Sequence, residues 1–247
     1  MLTTLQRNDD MDFKEGEIIA IDKPYRMSSF GALAHVRFLL SKSLGMKRLK
    51  TGHAGTLDPL ATGVLLLCTG KATKRIEELQ GHSKEYLATL QLGATTASFD
   101  KEHTVDATYP TAHIDKKLIE ETLHRFEGDI MQTPPAYSAC KINGKRAYKL
   151  KRKGDDVELQ PKPIHVEQIE LLSFDPKLMQ LTIRVECGKG TYIRSLARDI
   201  GEALGSGAFL TMLRRTRVGS YTIDDCLDFD HLQEWIDRNV EAVGNSL

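Results

Sequence analysis

Residues 52–69 read GHAGTLDPLATGVLLLCT and place a single carboxylate, Asp58, in a glycine-lined segment. Asp58 is followed by Pro59, and an Asp-Pro pair is typical of a helix N-cap and the first helical residue. Two features favour a nucleophile or a general base instead. No other acidic residue lies between Lys23 and Glu77. The glycines also remove side-chain bulk, which lets a substrate approach the backbone closely.

The same segment resembles a known catalytic motif, and five further blocks extend the resemblance. GHAGTLDPLATGVL is similar to the motif of the TruB family of tRNA pseudouridine-55 synthases, in which the aspartate is the nucleophile. The other blocks follow in the family's order: EIIAIDKPYRMSS (17–29), SKEYLATLQLG (83–93), PPAYSACKINGKRAYKLKRKG (134–154), CGKGTYIRSLARDIG (187–201) and LRRTRVGSY (213–221). The resemblance covers most of residues 16–221. It implies the pseudouridine synthase fold, a long mixed and mostly antiparallel sheet flanked by helices, with a basic thumb-like insertion.

The patterns of apolar residues predict strands and helices mixed without a βαβ rhythm, which indicates an α+β protein. The predicted strands are 17–22, 64–68, 86–92, 164–174, 178–187 and a segment near 217–223. Helices are predicted after Ser28 or Ser29, from Gly70, from Asp115, over 192–204, in a short piece before Arg214, and around 232–236. In the first helix, Phe30, Leu33, Ala34 and Leu40 are predicted to lie on one face. Residues 94–113 are predicted to be a loop.

The 247 residues suffice for one large domain with a sizeable core. We predict a flexible segment over 1–15 and one catalytic domain over 16–247, with the thumb-like insertion at about 130–163. Many bacterial relatives continue into a small C-terminal RNA-binding domain, and no such separate domain is expected in this chain. The resemblance therefore implies the short form of the family.

Charge is balanced overall, with 34 basic and 34 acidic residues, but it is unevenly distributed. The segment from Phe30 to Leu57 has five basic residues and no acidic one, and 141–153 has seven and none. Such segregation suggests a basic face for a polyanion, although ordinary solvated surfaces explain it equally well. The four cysteines are widely spaced and predict a reduced, intracellular protein with no metal site. Without a leader-like or membrane-spanning apolar run, we expect a soluble, cytoplasmic protein.

The resemblance implies three catalytic residues. Asp58 is the nucleophile, Arg194 pairs with it, and Tyr86 stacks on the target uracil and is a candidate for proton transfer. Pseudouridylation breaks the bond between uracil N1 and ribose, rotates the base and rejoins it through C5. Because this chemistry involves no redox change, no cofactor is expected. The plainer interpretations are a surface arginine for Arg194 and a cross-strand aromatic residue for Tyr86.

The resemblance also implies residues that bind the RNA. His53 fills the gap left by the flipped nucleotide, Lys23 contacts phosphate or positions a loop, and Asp100 organises the site. Tyr192 and Leu213 form walls of the pocket, although both are plausible core residues. The remaining candidates are basic residues of the insertion that would neutralise phosphates: Lys149, Lys151, Arg152 and Lys153.

The leading hypothesis is therefore an enzyme, an isomerase that acts on the T stem-loop of tRNA and works as a monomer without a protein partner. Two alternatives belong to other classes. A tRNA-binding or folding factor would keep the surface but would not need Asp58, Tyr86 and Arg194 together. An RNA-guided pseudouridine synthase component is disfavoured by the thumb-like insertion and by the lack of an added C-terminal domain.

Overall fold

The computed structural model of the chain describes residues 11–137, 141–142, 145–146 and 159–244. The chain divides into two compact units. The first is built from Met1–His82 and Arg214–Leu247, and the second from Ser83–Leu213. The first unit is therefore discontinuous in sequence.

Strands and helices are intermixed along the described residues, which confirms the predicted α+β class. The strands are β1 Ile18–Lys23, β2 Thr51–Ala54, β3 Thr62–Thr69, β4 Lys84–Leu92, β5 Ala94–Thr96, β6 Val105–Thr108, β7 Gly128–Gln132, β8 Lys141–Ile142, β9 Lys145–Arg146, β10 Lys162–Asp175, β11 Gln180–Cys187, β12 Ala208–Val218 and β13 Tyr221–Thr222. The α-helices are α1 Ser29–Ser43, α2 Ile76–Gly81, α3 Lys116–His124, α4 Ile193–Ala203 and α5 Leu232–Gly244. Within the described part of the chain, no helix is long and apolar enough to cross a membrane.

Strand β3 is the centre of the first unit. It pairs antiparallel with β1 and with β2, and parallel with β12 through Thr62 and Gly63, so the pairing is mixed. Every residue of β3 except Thr62 is buried. The apolar run predicted as a strand is confirmed, and its continuous hydrophobicity reflects burial on both faces.

Successive side chains of β3 enter two different hydrophobic clusters, as the alternation of a strand requires. Leu65 and Leu67 pack in the cluster that contains the buried faces of α1 and α5. The opposite face of β3 packs in the cluster formed by Ala54, Val64, Leu66, Cys68, Ala72, Leu79, Ala20 and Val218.

Helix α1 begins as predicted but presents a different face. The Ser28 hydroxyl accepts a hydrogen bond from the Gly31 N–H at 3.0 Å, the expected N-cap contact. The prediction that Phe30 shares a face with Leu33 and Leu40 is wrong, because its side chain is 65% exposed whereas theirs are buried. The buried stripe is Ala32, Leu33, Val36, Leu39 and Leu40.

The second unit contains an antiparallel sheet in the order β4-β11-β10-β7. Alternate residues of β4 are buried, as its period-2 pattern predicts. The Asp115 carboxylate caps α3 by accepting a hydrogen bond from the Leu118 N–H at 2.8 Å. Helix α4 buries the apolar side predicted for it, with Ile193, Leu196, Ala197 and Ile200 inward.

Three elements differ from the prediction. The predicted loop 94–113 contains a short hairpin, β5 and β6, whose second strand is mostly exposed and so lacks an apolar pattern. The predicted short helix before Arg214 is the beginning of β12. A short apolar run such as 208–210 fits either element, and periodicity alone does not separate them. The helix predicted from Gly70 starts as a 3-10 turn over Gly70–Arg75 and becomes α2 only at Ile76.

Candidate active site

Asp58 lies in a loop between β2 and β3, which we call the Asp58 loop and define as residues 55–61. The Ala61 N–H donates a hydrogen bond to the Asp58 carbonyl at 3.0 Å, so the chain turns at Pro59 and Leu60 and enters β3 directly. No helix starts at Pro59, and the N-cap interpretation of Asp58 is wrong. The half-buried side chain of Asp58 lies just before the start of the buried strand β3.

The middle of the Asp58 loop is attached to the start of α1 by a buried hydroxyl. Ser29 Oγ accepts a hydrogen bond from the Leu57 N–H at 2.8 Å and donates to the Leu57 carbonyl at 3.0 Å. Both residues are almost fully buried. Two backbone groups next to Asp58 are therefore satisfied by one side chain, which restrains the loop.

Lys23 supports the same loop from the end of β1. Its side chain is fully buried, and Nζ donates to the carbonyls of Pro24 at 2.9 Å, Met27 at 2.6 Å and Pro59 at 3.4 Å. Of the two roles predicted for Lys23, this geometry supports loop positioning over a phosphate contact.

Burial lowers the pKa of Lys23 from 10.5 to about 8. The Asp58 carboxylate acts in the opposite direction and raises this pKa, while the Arg215 guanidinium lowers it further. Lys23, Asp58 and Arg215 therefore interact electrostatically within the first unit.

Arg215, in β12, was not predicted as a site residue. Its side chain is 1% exposed, and it is the largest among the fully buried side chains of the described residues. Nε donates to the Val64 carbonyl at 2.8 Å, and Nη2 donates to the Gly55 carbonyl at 3.1 Å. In the sequence it stands in Arg214-Arg215-Thr216-Arg217, a composition that indicates a solvated surface. The only sequence signal for a functional role of Arg215 is therefore its place in the 213–221 block of the family resemblance.

His53 lies in β2, where it pairs with Leu67 of β3, and its side chain is half-buried. His53 precedes the Asp58 loop by one residue, which is consistent with the predicted contact to the RNA.

In the second unit, Arg194 lies in the first turn of α4 and is 4% exposed, so the interpretation as a surface arginine is wrong. Its Nη1 donates to the Ser98 carbonyl at 3.2 Å and its Nη2 to the Tyr137 carbonyl at 3.0 Å. Nε is 3.7 Å from Asp100 Oδ2. The structure thus brings together two of the predicted residues, Arg194 and Asp100.

Asp100 is buried and organises the loop that faces Arg194. Its Oδ1 accepts hydrogen bonds from Ser98 Oγ at 2.6 Å and from the Glu102 N–H at 2.9 Å. Its backbone carbonyl accepts from Thr96 Oγ1 at 2.7 Å. This geometry supports the predicted organising role. The pairing of Arg194 with Asp58, which belongs to the other unit, stays a prediction.

The predicted base-binding residues of the second unit lie on three elements. Tyr86 is a buried residue of β4 and pairs with Val185 of β11. Tyr192 is the N-cap residue of α4 and is fixed by Gln132, whose Oε1 accepts from the Tyr192 N–H at 2.8 Å. Leu213 is a half-buried residue of β12.

Most of the basic insertion lies outside the described residues. The predicted positions Lys149, Lys151, Arg152 and Lys153 are among those that the structure does not describe. In its described part, Lys141–Ile142 pairs antiparallel with Lys145–Arg146.

Comparison with known proteins identifies the class and then the family. A model described as TruB family pseudouridylate synthase, N terminal domain, matches residues 42–193, and one described as tRNA pseudouridylate synthase B C-terminal domain matches residues 194–243. The protein therefore has the pseudouridine synthase fold and is a pseudouridine synthase, as predicted. The chain belongs to the TruB family.

Individual relatives agree with this assignment. The chain is 60% identical to tRNA pseudouridine synthase B of Bacteroides thetaiotaomicron over 92% of this chain and 96% of that protein. It is 43% identical to tRNA pseudouridine synthase B of Mycobacterium leprae, over 88% of this chain but 68% of that protein. In structure it resembles a chain of a Cbf5-Nop10-Gar1 complex with a TM-score of 0.68 and 29% identity, over 95% of this chain and 61% of that one.

Proposed function

We propose that this protein converts the uridine at position 55, in the T loop of tRNA, to pseudouridine, with Asp58 as the nucleophile. Membership of the TruB family supports the reaction, and the names of the curated relatives support tRNA as the substrate. The observation that carries the role of Asp58 is its placement. It is a half-buried carboxylate in a turn restrained by Ser29, Lys23 and Arg215.

The reaction exchanges one glycosidic bond for another. The bond from ribose C1′ to uracil N1 breaks, a bond from C1′ to C5 forms, and the proton of C5 is replaced by one on N1. A carboxylate suits this sequence because it can form a covalent intermediate and be released again. The uridine must first leave the folded RNA, which costs a few kcal/mol.

The second unit supplies the platform for the base in this proposal. Tyr86 stacks on the flipped uracil, a contact worth roughly 1–3 kcal/mol, and is the candidate for proton transfer. Tyr192 and Leu213 form the walls of the pocket. Arg194 is ordered by Ser98, Asp100 and Tyr137. Its part in this proposal is the one that the family resemblance implies, to keep the carboxylate of Asp58 ionised and oriented.

The finer properties of the substrate complex belong to the same proposal. The protein binds the T stem-loop of tRNA. His53 occupies the space of the flipped nucleotide, and the four basic residues of the insertion neutralise phosphates. Residues 16–247 act as one catalytic domain, and the protein works as a monomer without a protein partner, in the cytoplasm where its tRNA substrate is found.

The test is an assay of pseudouridine on unmodified tRNA with the purified protein and with the variant Asp58→Asn. Asparagine keeps the shape of the side chain but is not a nucleophile, so turnover should vanish while the Kd for tRNA changes by no more than a few-fold. Asp175→Asn, at an exposed turn of the second unit, is the matched control and should keep wild-type activity. Pseudouridine formed by pure Asp58→Asn would contradict the assignment.

A second candidate is favoured by the structural likeness to a chain of a Cbf5-Nop10-Gar1 complex. In that case the protein would act as one component of an RNA-guided assembly. The same assay separates the two, because a stand-alone synthase modifies tRNA without added RNA or protein. Activity that required an added guide RNA would favour the second candidate.

A further inference from the structure

Arg215 connects the start of the Asp58 loop to β3, the strand that follows the loop. The Gly55 carbonyl, which accepts from Nη2 at 3.1 Å, stands at the start of the loop. The Val64 carbonyl, which accepts from Nε at 2.8 Å, belongs to the strand that follows it. One buried guanidinium therefore spans the segment that carries Asp58.

We propose that Arg215 is a positioning residue for Asp58, because its guanidinium ties the start of the Asp58 loop to β3, the strand that follows the loop, and thereby fixes the place of the carboxylate. The inference rests on the proposed role of Asp58 as the nucleophile. Arg215 itself touches backbone carbonyls and takes no part in bond making or breaking.

Two glycines, one at the start of the loop and one in β3, agree with this role. Gly55 has a φ of +90°, and a Cβ built on it would lie 3.5 Å from Nη1 of Arg215. Gly63 has a φ of +105°, and a Cβ there would lie only 2.1 Å from the Arg215 carbonyl oxygen. At Gly55 the 3.5 Å distance is an ordinary contact, so the positive φ is what favours glycine there. At Gly63 the absence of a side chain lets the Arg215 backbone approach β3 closely, which places the Arg215 side chain beside the loop.

The chemistry of the side chain also points to positioning. A buried cation is costly unless its donors are satisfied, and Arg215 meets this cost with backbone carbonyls of the Asp58 loop and β3. Its donors lie in a rigid planar fork, so two carbonyls are held at a fixed separation. A lysine keeps the charge but is a single flexible ammonium, which does not reproduce this fork.

The expected effect is on the chemical step. A displacement of about 1 Å in a reacting group can cost on the order of 100-fold in rate. Ser29 and Lys23 still bond the loop when Arg215 is changed, so we expect the loop to shift slightly and to keep its overall conformation. We therefore expect a loss in the rate of the reaction and little change in tRNA binding.

The first measurement is single-turnover pseudouridine formation at saturating enzyme with Arg215→Lys. The rate constant should fall roughly 100-fold while the Kd for tRNA stays within about twofold. Ile236→Ala, a cavity variant in α5 within the same unit, is the control for lost stability and should keep its rate within about twofold at a temperature where it is folded. A wild-type rate for Arg215→Lys, or a loss no larger than that of Ile236→Ala, would overturn the proposal.

The second measurement follows the loop itself by hydrogen exchange. In Arg215→Lys, a peptide covering residues 55–63 should exchange faster than in wild type and in Ile236→Ala, while β1 should be unchanged. Arg215→Gln serves in the same way if the lysine variant does not fold. Unchanged hydrogen exchange of residues 55–63 would refute the proposal that Arg215 restrains the Asp58 loop. Asp58→Asn assayed in parallel separates the two claims. Activity in that variant would contradict the role of Asp58, whereas the exchange of residues 55–63 tests separately whether Arg215 restrains the loop.

Discussion

At the scale of single residues, two buried cations dominate the surroundings of Asp58. Lys23 and Arg215 are both nearly inaccessible, and both direct their donors to backbone carbonyls of the first unit. Such groups are costly to bury when charged, and for Lys23 the cost appears as the lowered pKa of about 8.

The lowered pKa of Lys23 predicts a characteristic dependence of stability on pH. Between about pH 8 and 10.5 the unfolded chain holds the proton that the folded chain has released, so stability rises with pH in this window. Relative to Lys23→Met, the wild type should gain up to about 1.4 kcal/mol per pH unit there and nothing below pH 8.

Urea denaturation of both proteins at pH 7, 8.5 and 9.5 measures this difference. Lys177→Met, at an exposed turn of the second unit, is the control and should run parallel to the wild type. A difference between wild type and Lys23→Met that stays constant across the three pH values would contradict the assignment of the shift to Lys23.

At the scale of elements, the basic insertion carries a prediction from its charge alone. Replacing Lys149, Lys151, Arg152 and Lys153 with Ala removes four positive charges. Binding of tRNA should weaken, and the slope of log K against log salt should become shallower by about 0.7–0.9 for each lost phosphate contact. Measuring Kd from 50 to 300 mM salt gives this slope.

The control for the insertion removes the same number of charges elsewhere in the second unit. Lys116 and Lys117 lie beside Glu120 and Glu121 on the exposed face of α3, and Arg125 and Lys177 are also exposed. Changing these four to Ala should leave the slope within about one unit of the wild type. Equal slopes for the two variants would show that the insertion is an ordinary solvated surface.

Elements defined by local periodicity were predictable from the sequence, whereas those defined by distant partners were not. The alternation in β4 and the apolar stripe of α4 each require only neighbouring residues. The start of β12 and the burial of Arg215 depend on pairing with segments far away in the chain. Arg215 and Gly55 are 160 positions apart, and nothing in the composition of 214–217 indicates that its carbonyl partners exist.

For the whole molecule, we predict that recognition is local to one hairpin. Proteins generally recognise RNA loops through their shape and splayed bases. An isolated, folded T stem-loop should therefore be modified with a kcat/KM within about tenfold of that for whole tRNA, or roughly 1.4 kcal/mol in transition-state binding. Base changes that unfold the loop should cost far more. A thousandfold loss on the folded hairpin would show that distant parts of tRNA matter.

The division of the first unit between two chain segments has a consequence for biosynthesis. The Asp58 loop leaves the ribosome early, but Arg215 follows Gly55 by 160 residues. Translation proceeds at about 5–20 residues per second, so Arg215 is synthesised on the order of 10–30 s after the Asp58 loop. The second unit, Ser83–Leu213, is continuous and is fully synthesised within that interval. In a nascent chain, Ser29 and Lys23 are therefore available to restrain the Asp58 loop before Arg215 is made, and we expect full activity only after translation has passed β12.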